Sequence, residues 1–132
     1  MIHTLPSELQ DLMSDSEKAG SLYAKTMSHD TAGNDLRLRV AEIYGTYEQM
    51  RERTEIMAAS FLSDCYYGDR PARGAWLADI TDFRSILCIG HDTEHSPICI
   101  DFAHGAKVIL WDGYAWREVA PGFAGFLRLF VG

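Results

Sequence analysis

Between residues 85 and 119 the chain carries four short apolar runs separated by gaps too small for anything but turns, and this spacing constrains the fold more than any other feature. The runs are Ser85–Gly90, Ile98–Phe102, Lys107–Trp111 and Ala115–Val119. The separators His91–Pro97 and Ala103–Ala106 are hairpin-sized, and Asp112-Gly113 opens a tight turn before the fourth run. Such a series is a β-meander. Ile86-Leu87-Cys88-Ile89 is apolar at every position, the composition of a central strand covered on both faces.

The remainder of the chain supplies helices to cover that sheet. Thr46, with Gln49 three residues later, has the form of a capping box. Tyr47, Met50, Thr54, Met57, Ala58 and Phe61 then recur at helical spacing, which predicts a helix over about 46–60. Leu5, Leu9, Leu12 and Met13 behind Pro6 predict a helix over 6–14, and Leu22, Tyr23 and Met27 a second one over 17–27. Residues 28–35 are turn-forming and read as a loop. Leu36–Val40 alternates apolar and basic, as a half-buried strand does. Residues 63–82 read as a long irregular connection, with a short edge strand near Trp76-Leu77. Phe123, Phe126, Leu127 and Phe130 predict a closing helix over 121–130. Helical segments leading into a meander and a final helix make an α+β domain.

At 132 residues and 47 % apolar composition, the chain supports one domain over 1–132 with a core that needs no disulfide or metal. The net charge of −7 argues against nucleic-acid or anionic-membrane binding, both of which need a basic footprint. It suits a basic protein partner, or simply solubility. The N-terminus shows no secretory signal, and no apolar run approaches the roughly 18 residues of a membrane span. The three cysteines, Cys65, Cys88 and Cys99, lack CxxC spacing, so a cytoplasmic location is expected.

Two clusters stand out for binding. Asp64, Tyr66, Tyr67, Asp69 and Arg70 combine the aromatic and Arg side chains enriched at interface hot spots with acids that steer a basic partner; the alternative is that both tyrosines pack over the core. His91, Asp92, Glu94 and His95, with Asp101 and His104 close by in sequence, hold metal-ligand types. They fall on a hairpin turn, where the same residues serve solvation and Asx-turns, so a partner-facing loop is the better reading and no metal is expected. Cys88 and Cys99 fall on adjacent strands and read as buried small hydrophobes. There is no phosphate loop, GxSxG or HExxH, and no enzyme is expected.

The segments Ile86–Asp92, Ser96–Phe102, Val108–Asp112 and Trp116–Leu127 follow one another in an order that resembles the SUKH superfamily of Smi/Knr-like domains. The opening Leu5-Pro6, followed by Leu9 and Leu12, is similar to that family's first helix. Two positions depart from its pattern: Lys18-Ala19-Gly20 stands where an Asn-Gly pair is common, and Gly122 replaces the usual capping Ser or Asp. The resemblance implies a mainly antiparallel mixed sheet with helices, no cofactor and no catalytic residue set. It also implies an immunity protein that occludes a cognate polymorphic or contact-delivered toxin, often a nuclease. The alternative is a regulatory or scaffold domain that binds a different protein.

Overall fold

The computed structural model describes residues 3–63, 74, 76–77, 80 and 82–132. Their order is α1 (Ser7–Ser14), α2 (Ser16–Tyr23), β1 (Met27–His29), β2 (Asp35–Leu38), β3 (Val40–Ile43), α3 (Tyr47–Ser63), β4 (Ile86–Asp92) and β5 (Pro97–Asp101). A 3-10 turn (Phe102–His104), β6 (Lys107–Trp111), β7 (Trp116–Ala120) and α4 (Phe123–Arg128) complete it. The class is α+β. Strands β3 to β7 form one sheet in chain order, β1 and β2 form a separate ribbon, and every pairing among the described residues is antiparallel.

The meander forms where the apolar runs place it. Ile86–Ile89 is buried throughout. Cys88 lies opposite Cys99 and Leu87 opposite Ile100. Because strand side chains alternate, these two pairs point to opposite faces, and both faces are therefore covered. Helix α3 packs on β4, and α4 packs on β6 and β7. Met50, Met57 and Phe61 are the buried face of α3, and Phe123 and Phe126 that of α4. A fully buried apolar side chain of this size contributes about 1.5–3 kcal/mol.

The start of α3 bears the expected cap, shifted by one residue on one side. The N–H of Gln49 donates to Thr46 Oγ1 at 3.1 Å, while Gln49 Oε1 accepts from the N–H of Gly45 at 3.2 Å. The helix runs three residues past the predicted end, to Ser63.

Three expectations for the other elements are corrected. Helix α2 stops at Tyr23, because Met27 is drawn into the β1–β2 ribbon opposite Leu38, where both are buried. The loop read over 28–35 therefore begins inside a strand. The single strand read over 36–40 is divided at Arg39: Leu38 ends a strand of the ribbon and Val40 begins the main sheet. The closing helix ends at Arg128, and Phe130 lies beyond it, packed edge-to-face on Phe126 at 5.0 Å. Its N-cap, Gly122, supplies no side-chain hydrogen bond.

Both edges of the main sheet are engaged by neighbouring groups, which limits edge-to-edge pairing. On β3, the N–H of Ile43 donates to the hydroxyl of Tyr23 at 2.9 Å. On β7, Thr31 donates from its N–H and its hydroxyl to the carbonyl of Val119, and the N–H of Leu77 donates to that of Trp116 at 2.8 Å. Where a short edge strand is expected near Trp76-Leu77, Trp76 forms an isolated antiparallel bridge to Arg117.

Candidate functional site

A β-bulge builds the site. Cys88 faces Cys99, Gly90 faces Ile98, and His91 faces Pro97. Three steps along β4 thus match two along β5, and Ile89 is the extra residue. Cys99 and Pro97 share a face by alternation, so the bulge brings Cys88 and His91 to that face as well. In a strand of regular alternation His91, three residues from Cys88, would point the other way. Gly90 permits the arrangement, because a Cβ there would run into the backbone carbonyl of Glu42 on β3.

Helix α3 lies over this face without filling it, which leaves a groove of about 440 Å³. Tyr44, Arg53, Ile56, His91, His95 and Trp111 line its walls, and Cys88 and Met57 contribute to it from beneath. The hydroxyl of Tyr44 and Nδ1 of His91 are 3.2 Å apart. The imidazoles of His91 and His95 are stacked at 5.6 Å between centroids. His95 adopts a φ of 64°, a left-handed conformation uncommon outside glycine, as the turn brings its ring onto His91. The Arg53 guanidinium lies over the Tyr44 ring, 5.6 Å from its centroid. Ile56 is 54 % exposed, unusual for so large an apolar side chain.

The surroundings of the groove shift its titratable groups in opposite directions. Burial, followed by the nearby Cys88 thiol, pushes the Tyr44 hydroxyl up from its ordinary range. Burial also pushes the Cys99 thiol well above its usual value, while the Cys88 thiol, hydrogen-bonded by Cys99, is shifted down. Both thiols are free and buried.

The carboxylates of the same hairpin face elsewhere. Asp92 and Glu94 line a second depression of about 420 Å³, with Arg37, Arg39, Thr26 and Ser28 from the β1–β2 side. Asp92 is buried, and its Oδ1 accepts from the N–H groups of Glu94 (2.9 Å) and Ser96 (2.8 Å). That carboxylate shapes the turn. Asp101 does similar work at the next turn, accepting from the N–H of Ala103 at 3.1 Å and pairing with His104 Nδ1 at 2.8 Å.

The sequence cluster His91, Asp92, Glu94, His95 is therefore divided, with imidazoles on one side of the hairpin and carboxylates on the other. Among the described residues no three His, Cys, Asp or Glu side chains are grouped to hold a metal. Asp64, Tyr66, Tyr67, Asp69 and Arg70 lie outside the described residues, as does Cys65. Glu94 and His95 are exposed.

Tyr44, Arg53, Ile56 and Trp111 were not among the binding residues read from the sequence. One signal for Arg53 was present. Its helical neighbours at i±3 and i±4 are Gln49, Met50, Ile56 and Met57, with no acid among them, whereas Arg51 has Glu48 and Glu55 at these spacings. No helix among the described residues is long and apolar enough to cross a membrane. Comparison of the chain with family models, curated proteins and solved structures finds no match.

Proposed function

We propose that this chain is a non-catalytic protein-binding domain that neutralises a cognate toxin by covering its working surface, and that the α3 groove is where the partner docks. The observation that carries the reading is the composition of the groove. Tyr44, Trp111 and Arg53 belong to the residue types that dominate interface hot spots, and exposed Ile56 gives them an apolar neighbour on the helix. The groove rests on a capped helix and a sheet engaged at both edges, so little ordering entropy opposes docking. The toxin-neutralising role follows from the resemblance of residues 86–127 to SUKH domains, in which a rigid surface does the work.

The test begins with the partner recovered by the tagged chain from its native host. Its complex is then measured by calorimetry against wild type and Ile56→Lys, which places a charge in the groove. A loss of about 2 kcal/mol or more in affinity is expected for a central contact. An unchanged complex excludes the groove as the docking surface. Relief of the partner's growth inhibition on co-expression separates immunity from a scaffold role.

A further inference from the structure

The charge around the groove bears on what kind of segment enters it. The chain as a whole is acidic, at −7, yet among the described residues no carboxylate lines the groove, whereas Arg53, His91 and His95 do. The exposed Arg53 guanidinium lies over the buried Tyr44 ring, and among the described residues no acid pairs with it. An exposed guanidinium placed over a ring, with no acid of its own among the described residues, is prepared for a carboxylate. The two stacked imidazoles are linked to Tyr44 through the contact between its hydroxyl and His91. Glu42 faces His91 across β3 and β4, acts through its charge on the Tyr44 hydroxyl, and is exposed at the sheet edge outside the lining.

We propose that the groove receives an acidic segment of the partner protein, with a side-chain carboxylate on the Arg53 guanidinium and an adjoining apolar side chain against Ile56, Pro97 and Trp111. The inference rests on the groove being the docking surface and adds the chemistry of what docks there. It places a local contact of reversed sign on an otherwise acidic domain. Such a contact fixes register and rejects partners that present a cation at this point.

The test uses the full chain without its partner, so that its outcome does not depend on the docking experiment above. Benzoate and benzylammonium share an aromatic ring and differ in the sign of the attached charge. Each is titrated into ¹⁵N-labelled protein while the Arg53 side-chain and His91 and His95 signals are followed by NMR. Benzoate should shift these signals saturably in the millimolar range, and benzylammonium should not. Arg53→Glu should weaken benzoate about tenfold or more while the amide spectrum away from the groove stays unchanged, and Arg53→Gln should fall between. Equal or tighter binding of benzylammonium, benzoate binding unaffected in Arg53→Glu, or no saturable benzoate shift would each overturn the proposal. Retained partner loss in Ile56→Lys alongside any of these results would leave the docking surface standing and remove only its acidic occupant.

Discussion

Two arginines show how differently one side chain is used within this molecule. Arg117, on the edge strand β7, is buried, and its Nη2 lies 2.8 Å from a carboxylate oxygen of the equally buried Asp30. The Trp76 ring lies over it at 5.2 Å, held by its own N–H to Asp112 at 2.8 Å. Arg53, on α3, is exposed, stacks on Tyr44 and has no carboxylate among the described residues. The first has surrendered its hydration and depends on its partner. The second keeps its hydration and remains available. Burial of a charge ties it to the fold, and a charge left half-engaged is where binding can be sought.

The sharpest way to break the comparison is to remove Asp30. Its carboxylate also accepts from the backbone N–H groups of Ala32 (2.9 Å) and Asn34 (3.0 Å), so it organises the turn between β1 and β2 as well. Asp30→Ala leaves the Arg117 charge buried and unpaired, and unfolding in urea should show a loss of about 3–5 kcal/mol. A loss below 1 kcal/mol would mean that water reaches Arg117 and that the two arginines are not so different. The pH dependence gives the same contrast with a sign. Burial acts to raise the Asp30 pKa, but the Asn34 N–H, then Arg117, the Asn34 side chain and the Ala32 N–H outweigh it and hold the pKa below its ordinary value. A depressed carboxylate pKa stabilises the fold above the unfolded value of about 3.9, and that contribution is lost as pH falls through the folded value. The stability gap between wild type and Asp30→Asn should therefore be constant from pH 7 to about 5 and narrow only below about 4. Arg53 variants should show no such narrowing.

A substitution in β4, next to the bulge that supports the groove, comes next in size. Gly90→Ala drives a Cβ into the Glu42 carbonyl on β3, where the obstacle is backbone and does not swing aside. A destabilisation of about 3 kcal/mol is expected, at the top of the overpacking range. Because Gly90 adjoins the bulge, hydrogen exchange should quicken at the β3–β4 pairing and leave β6–β7 as it was. Uniform quickening across the sheet would place the bulge in the shared core rather than in the groove's support.

How far all this was legible from the residues varies with the range of the interaction involved. The meander was readable because its runs are apolar and its separators short, both local properties. Met27 misled because it continues the helical spacing of Leu22 and Tyr23, while its actual partner, Leu38, lies across a turn. The passage from ribbon to main sheet at Arg39 leaves no mark, since alternation continues through it and both Leu38 and Val40 are buried. At the site, His91 and His95 were visible as residues, but their separation from Asp92 and Glu94 depends on a bulge whose local sign was a glycine inside a strand. Arg53 and Tyr44 reach the groove only because α3 docks over β4. In that contact the Thr54 hydroxyl accepts the Cys88 N–H at 2.7 Å and donates to the Met50 carbonyl at 2.7 Å. Nothing in the spacing of residues 46–60 announces a hydrogen bond to residue 88.

The smallest expected effect on stability is also the most informative about function. Arg53→Ala removes an exposed guanidinium whose described interaction is the stack on Tyr44, a contact worth about 0.5–1 kcal/mol at exposed sites. Part of that is offset because alanine is the better helix former, so the urea midpoint should move by no more than about 0.5 kcal/mol in stability. If the fold registers so little while the partner complex weakens markedly, Arg53 is held in place for something outside the chain. A loss of stability near that of Asp30→Ala would make Arg53 a second structural arginine, with Tyr44 and α3 depending on it, and the groove would then be a by-product of packing.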